Sequence, residues 1–276
     1  MRRIILPLLS AASLALAGCN SSSDNAQQNA APPAPTSVSG TVSLRDPSIQ
    51  VSPNAKLDVK LVDVSRQGSS PVATKSFQPV TLPQQYKLDF DAAAVNANDI
   101  YVVQASMVDG DRTFDMPLQA PVLTKGKPAT ADIALQAKAT PGEKEMAGFK
   151  DLQKRIGGLK VTNGTQLQEG VSRGWQVFRS GTDVVFIREL VDYGDKGFTS
   201  TDYAYKNGKV WVAEQQKKPS KDGKATSTER AAWNDAGELV FKTNDAGGKT
   251  SPLGDDEAAN LKKQGESILA KGKGGK

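Results

Sequence analysis

The 276-residue chain contains no histidine and a single cysteine, Cys19. The lack of histidine excludes imidazole as a general acid, general base or metal ligand, and one cysteine cannot form a disulfide within the chain. Aromatic residues make up only 6% of the sequence, and the net charge of +5 is too small to indicate a nucleic-acid-binding surface. We therefore predict a protein that is not an enzyme, with no catalytic residue, no metal and no cofactor, and with no nucleic-acid partner.

A long hydrophobic run is also missing. The apolar stretch at residues 4–17 would rise about 1.5 Å per residue as a helix, too little to cross a hydrocarbon core of about 30 Å. Arg2 and Arg3 precede this stretch, and small residues follow it. A basic flank, a short apolar core and small residues before a cleavage site are typical of a secretory signal. We predict that residues 1–18 form a signal peptide.

Cys19 directly follows Leu16, Ala17 and Gly18. This tetrad resembles the lipobox of bacterial lipoproteins, which implies cleavage before Cys19 and acylation of its thiol and of the new amine. Several acyl chains would anchor the protein stably, whereas one would hold it only marginally. The alternative is a chance cysteine beside an ordinary Ala-x-Ala cleavage site. Asn20 stands where aspartate would resemble an inner-membrane retention signal, so the resemblance favours the outer membrane, with the folded part in the periplasm.

A flexible tether is expected next. Residues 19–37 are rich in Ser, Asn, Gln, Ala and Pro and show no apolar periodicity. Such a segment cannot bury enough surface to offset the entropy lost on ordering. We predict that it is disordered and connects the lipid to the folded part.

Alternating polar and apolar residues begin at Val38 and continue to residue 137. Leu57, Val59 and Leu61, for example, alternate with other residues, which places them on one face of a strand. Turn residues such as those at 109–111 separate the alternating stretches. The pattern predicts about seven short strands in an antiparallel β-sandwich.

These strands resemble the YbaY/YscW type of bacterial lipoprotein over residues 38–136. The resemblance lies in linked positions on successive strands: Gly40-x-Val42, the alternating series from Pro53 to Ser65, Tyr86-x-Leu88-x-Phe90-Asp91, and the series from Tyr101 to Gly110. It implies a small β-sandwich on a lipid anchor. Some members of the family are pilotins, which carry a secretin of a type III secretion system to the outer membrane, and the second half of this chain is a departure from the small pilotins.

Residues 143–276 predict a second β-rich domain flanked by two helices. Met146, Phe149, Leu152 and Ile156 share one helical face, and Gly157-Gly158 would end that helix through a left-handed cap. A meander of strands follows, in which Asn207-Gly208 predicts a two-residue hairpin. Acidic residues at 255–257 begin a C-terminal helix that buries Ala258, Leu261, Gly265 and Ile268. The fold class is therefore mainly β.

Four groups of residues in the chain could carry a site, each with a plainer alternative. Asp109 and Asp111 suit a calcium turn or a solvated hairpin. The acids Glu189, Asp192, Asp195 and Asp202 would suit a glycosidase only if two of them faced one cleft. The lysines could bind anionic lipid or a wall polymer, or decorate a loop: Lys217, Lys218, Lys221 and Lys224. The aromatic residues could line a ligand face or fill the core: Trp175, Trp211, Trp233, Tyr203 and Tyr205.

A short repeat, Asn-Asp-Ala-Gly, occurs at 234–237 and again at 244–247. It suggests two similar turns that bracket one strand, or turn chemistry reused by chance. From all of these features we predict a non-catalytic binding or assembly module for an envelope protein such as a secretin. The alternative is an envelope-structural lipoprotein that contacts cell wall or an anionic polymer, and a carboxylate-based hydrolase is the third hypothesis.

Overall fold

The computed structural model describes residues 34–273 of the chain. The predicted signal peptide, Leu16, Ala17, Gly18 and Cys19 lie outside these residues, as does most of the tether. Within the described residues the fold is mainly β, as the alternating pattern predicted.

The first eight strands build one sheet path in the order β3-β2-β5-β6-β8-β1-β4, with β7 also on β5. Their bounds are β1 (Ser37–Leu44), β2 (Lys56–Asp63), β3 (Ala73–Phe77), β4 (Gln84–Asp89), β5 (Tyr101–Asp109), β6 (Arg112–Asp115), β7 (Ala120–Val122) and β8 (Ile133–Ala137). The sequence pattern predicted six of them and missed β3 and β7. The path folds around one core in which Leu57, Val59 and Leu61 are fully buried, as their alternation predicted.

The prediction of a wholly antiparallel sandwich is wrong for one pair of strands. β1 runs parallel to β8, with Val42 beside Ile133 and Leu44 beside Leu135. The close approach of β1 to the segment that leads into β8 depends on Gly40, because a Cβ there would lie 1.9 Å from the carbonyl oxygen of Ala131. The same carbonyl accepts a 2.6 Å hydrogen bond from the hydroxyl of Tyr86 on β4.

The next eight strands form a second sheet in strict chain order, with every pair antiparallel. Their bounds are β9 (Lys160–Gln168), β10 (Val171–Ser180), β11 (Asp183–Asp192), β12 (Phe198–Lys206), β13 (Lys209–Lys218), β14 (Ser227–Trp233), β15 (Leu239–Ala246) and β16 (Lys249–Ser251). Asn207 and Gly208 join β12 to β13 with φ values of 50° and 73°, so the predicted hairpin is confirmed.

Two helices pack on opposite faces of this second sheet. Helix α1 (Pro141–Arg155) buries Met146 and Phe149 against Phe186 and its neighbours, and helix α2 (Asp255–Lys273) packs on the face of Ile187. Adjacent residues of a strand point to opposite faces, which separates the two cores. The predicted face of α2 is confirmed, because the structure buries the four residues named for it: Ala258, Leu261, Gly265 and Ile268.

The two ends of α1 have different structures. Thr140 and Glu143 form a capping box: the Glu143 backbone N–H donates to the Thr140 hydroxyl, and the Glu143 carboxylate accepts from the Thr140 N–H. The predicted left-handed cap at Gly157-Gly158 is wrong. Those glycines lie in a short 3-10 turn that continues the helix, and neither has a positive φ. No helix within residues 34–273, including α1 and α2, is both long enough and apolar enough to span a membrane.

The repeated Asn-Asp-Ala-Gly tetrads have different structures. At 234–237 the tetrad is a turn, in which the Asn234 side chain accepts a 2.9 Å hydrogen bond from the Glu238 N–H. At the second copy, residues 244–246 belong to β15, and the turn is made by Gly247 and Gly248. The hypothesis of two equivalent turns is therefore wrong.

Candidate functional site

A gap in strand pairing lies on one edge of β5. Strand β6 pairs with residues 106–109, and β7 pairs with residues 101–103 of the same edge. The loop Met116–Gln119 connects these two strands and passes the gap at Gln104 and Ala105. One backbone edge is thus covered at both ends and interrupted in the middle.

The interruption leaves one backbone donor with a weak partner. The N–H of Ala105 donates to the Sδ atom of Met116 at 2.9 Å, and no strand carbonyl takes that position. A thioether is a poor acceptor in comparison with a backbone carbonyl. The N–H of Ala105 would therefore form a stronger hydrogen bond with a peptide carbonyl brought by another molecule.

A groove of about 320 Å³ lies beside this loop, on the outer face of β2 and β5. Pro117 contributes an exposed apolar side chain to it, and the polar rim includes Asp58, Lys60 and Ser106. Leu118 stands at the mouth with 78% of its surface exposed. We call this feature the Leu118 groove. An apolar centre with a polar rim is the usual anatomy of a protein-binding surface.

The loop borders a second groove, of about 520 Å³, on its other side. Residues 130–134, where β8 begins, form the far wall, and Arg45 and Asp132 supply opposite charges. Leu118 lines both grooves, so one exposed apolar residue stands between two concave surfaces. This site was not predicted from the sequence. Its signal there is the run Met116-Pro117-Leu118, which directly follows the last residue of β6.

The structure does not bring the four acids into one cleft. Glu189 and Asp202 are buried on opposite faces of the second sheet, because each pairs with a residue next to the other: Glu189 with Thr201, and Asp202 with Arg188. Asp192 accepts a hydrogen bond from the Gly194 N–H, and Asp195 is exposed in the turn that follows. The group therefore lacks the facing pair of carboxylates that a glycosidase requires.

Both buried acids are held by arginine. Asp202 accepts two 2.8 Å hydrogen bonds from Arg188, and a third, of 3.1 Å, from Gln153 of α1. The hydrogen bond with Asp202 raises the pKa of Arg188 above its ordinary value. Glu189 contacts Arg173 and accepts a 3.3 Å hydrogen bond from the Tyr203 hydroxyl. These contacts indicate that Glu189 and Asp202 stabilise the sheet.

The aromatic residues serve mainly as core. Tyr203, Tyr205 and Trp233 are buried against α2, and Trp211 is buried against α1. Trp175 is partly buried and lies over Gly164 of β9. Among the lysines, Lys217 contacts the buried carboxylate of Glu229, so it too has a structural role.

The Asp109 turn is also structural. Its carboxylate accepts a 2.8 Å hydrogen bond from the Ser52 N–H and a second one, of 2.5 Å, from the Ser52 hydroxyl. No cluster of three or more potential metal ligands occurs within residues 34–273.

The two halves of the chain match different family models. Residues 33–135 match the family model described as type III secretion system lipoprotein chaperone (YscW), which confirms the resemblance predicted from the sequence. Residues 162–274 match a family described as a protein of unknown function, DUF1481. No curated protein matches the chain. Among solved structures, the chain is similar to an alternative pilotin from the type II secretion system of Vibrio cholerae. The identity is 23%, over 37% of this chain and 96% of that one, with a TM-score of 0.34.

Proposed function

We propose that this protein is a lipid-anchored, pilotin-like chaperone that binds a secretion-system protein of the outer membrane, such as a secretin. The observation that carries this proposal is the match of residues 33–135 to a family of lipoprotein chaperones. The anchor would be Cys19, in the lipobox formed with Leu16, Ala17 and Gly18, and the folded part would face the periplasm. A chaperone of this kind requires a binding surface, and it requires no catalytic group.

The partner would bind in the Leu118 groove. An extended segment of the partner could place an apolar side chain against Leu118 and Pro117, both of which are exposed and line this groove. A carbonyl of the same segment could accept from the Ala105 N–H in place of the Met116 thioether. Addition of an extended segment to an exposed strand edge is a common mode of peptide recognition, in which backbone hydrogen bonds provide affinity and side-chain pockets provide specificity.

The test is capture of the secretin from detergent-solubilised membranes by the full chain and by two variants. Leu118→Asp should reduce capture by about tenfold or more, because burial of a leucine side chain contributes about 1.5–3 kcal/mol and each 1.4 kcal/mol corresponds to about tenfold. Val108→Asp is the matched control. Val108 lies on the outer face of the same strand, is 49% exposed, and is not part of the groove.

Each outcome has a definite meaning. If Leu118→Asp and Val108→Asp capture the secretin equally well, the partner does not bind in the Leu118 groove. If the unmodified chain captures cell-wall glycan and no secretion-system protein, the envelope-structural alternative replaces the chaperone proposal. Both substitutions are at exposed positions, so thermal unfolding should stay close to that of the unmodified chain.

A further inference from the structure

Strand β9 has an open backbone edge. In the part of the chain that the structure describes, residues 34–273, β9 pairs with β10 alone. It is nine residues long, and seven of the nine are exposed. Long edge strands usually carry a proline, a bulge or several charges, because an unpaired edge attracts another strand. β9 has no proline, its register with β10 is unbroken, and its only charged residue is Lys160 at the first position.

The sequence of β9 is complementary to itself in the antiparallel direction. Gly164 is the middle residue of Lys160–Gln168. We propose that β9 pairs with β9 of a second copy of this chain, around a two-fold axis at Gly164, so that two eight-stranded sheets become one continuous sheet. In this register Val161 of each copy lies opposite Leu167 of the other.

The pairing would cover the exposed apolar side chains of β9. Val161 is 45% exposed and Leu167 is 80% exposed, and both point to the face of the sheet that carries α1. Residues directly opposite each other in an antiparallel pair have their Cβ atoms about 4.5–5.5 Å apart, within contact distance for valine and leucine. The two-fold axis generates this contact twice. One exposed leucine on a surface requires no explanation, but a valine and a leucine equidistant from the middle of an open strand match a two-fold partner.

The other face of the strand brings aromatic residues to the same axis. The indole of Trp175 lies across Gly164, so closely that a Cβ on Gly164 would be 2.3 Å from the indole Cε2 atom. Because the two Gly164 residues would face each other on the axis, the two Trp175 side chains would come into contact. The partial burial of Trp175 within one chain leaves surface for that contact.

The remaining pairs across the axis carry no charge conflict. Thr162 would lie opposite Gln166, and Asn163 opposite Thr165. Lys160, the only charged residue of β9, would lie opposite the neutral Gln168. A second copy also fits better through β9 than through the other end of the sheet, because β16 has only three residues and cannot cover nine. The two-fold arrangement closes as a dimer, whereas head-to-tail pairing would continue into a filament.

A charge exchange tests the register. The full chain carrying Cys19→Ser, which removes the predicted lipid site, should have twice the monomer mass by light scattering. Adding Val161→Lys and Leu167→Lys should give a monomer, because like charges directly opposite each other are destabilising. Adding Val161→Lys and Leu167→Glu should restore the dimer, because each lysine then faces a glutamate of the partner. Val108→Lys, which adds a charge to an exposed residue of β5, should leave the dimer unchanged.

A disulfide test gives an independent measure of the same geometry. In the Cys19→Ser chain, Val161→Cys and Leu167→Cys are made separately. Oxidation of the mixed pair should join two chains, and oxidation of either variant alone should not, because identical positions lie six residues apart across the axis. The proposal is overturned if the Cys19→Ser chain is a monomer at all concentrations, or if the folded variant with Val161→Lys and Leu167→Glu stays monomeric. Cross-linking of Val161→Cys with itself would overturn it as well. The proposed chaperone site lies on β5, so these results are independent of secretin capture.

Discussion

Arg188 and Asp202 face each other across strands β11 and β12, joined by two hydrogen bonds of 2.8 Å. The guanidinium also lies 5.8 Å from the ring centre of Phe186, and the carboxylate accepts from Gln153 of α1. The pair thus connects two strands and a helix at the point where the apolar part of the sheet face gives way to charged residues.

Loss of the Asp202 charge should destabilise the fold. Asp202→Asn leaves the half-buried Arg188 without its carboxylate. The free energy of unfolding, measured by urea denaturation, should therefore fall by about 1–3 kcal/mol. Asp195→Asn, at an exposed position in the β11–β12 turn, is the control and should change it by less than about 0.5 kcal/mol. If Asp202→Asn and the unmodified chain unfold at the same urea midpoint, this pair contributes no net stability.

Loss of Asp192 or Asp195 should leave function intact. Asp192 and Asp195 are exposed, whereas Asp202 is buried and pairs with Arg188. Separate Asp192→Asn and Asp195→Asn chains should complement a deletion strain as well as the unmodified chain. A stable variant of either kind that fails to complement would favour the hydrolase hypothesis over the chaperone.

Replacement of Cys19 should release the protein from the membrane. The predicted anchor depends on the thiol of Cys19, so Cys19→Ser should fractionate as soluble or unprocessed protein. An Asn20→Ser chain, changed at the next position, should keep its membrane fractionation. Mature Cys19→Ser protein in the membrane fraction would contradict the lipobox assignment.

Limited trypsin digestion should separate residues 38–137 from residues 143–276, the two predicted domains. Lys138 and Ala139 are exposed between β8 and the cap of α1. Gly142 is pressed against β15, where a Cβ would lie 2.3 Å from the Val240 carbonyl oxygen, so cleavage should occur before the cap. We expect one stable fragment that ends near Lys138 and a second that begins near it. Lys138→Gln should slow the appearance of both fragments. Degradation without a stable fragment would contradict the domain boundary.

Alkaline pH should weaken the contact between α2 and its sheet. Burial raises the pKa of the Tyr205 hydroxyl above its ordinary value of 10.0, and this hydroxyl donates a 2.8 Å hydrogen bond to the Gly265 carbonyl. The stability that depends on neutral Tyr205 is therefore fully present below pH 10 and decreases above it. Tyr205→Phe should lower the free energy of unfolding by about 1 kcal/mol at pH 7 and should reduce its decrease between pH 10 and about 11. The more exposed Tyr193→Phe is the control. An unchanged pH profile in Tyr205→Phe would show that this hydroxyl does not titrate with unfolding.

The sequence predicted those features that depend on local patterns. Alternation identified most strands, and Asn207-Gly208 gave its hairpin because both residues adopt positive φ. No strand was predicted at β9, where Asn163-Gly164 has the composition of a turn. In the structure Gly164 is part of a strand, where its missing side chain leaves room for Trp175.

Features that depend on distant residues could not be predicted in the same way. The parallel contact of β1 with β8 joins positions about ninety residues apart, and no local period encodes it. The Leu118 groove has the same origin, because it exists only where β6 and β7 meet a third strand. The burial of Asp202 likewise depends on Arg188 across the sheet and Gln153 on α1, neither of which is its neighbour in sequence.

The connectivity of the two sheets implies different folding behaviour during synthesis of the chain. Each strand from β9 to β16 pairs only with its neighbours in the chain, so this sheet can grow one hairpin at a time as residues emerge. The first sheet cannot do so, because β1 must wait for β8, whose pairing residues follow by about ninety positions. Val38 and Val42 therefore stay without their final cover until the segment at 133–137 has been synthesised and has paired. During that interval the N-terminal half would expose apolar strand residues, whereas the C-terminal half could fold hairpin by hairpin.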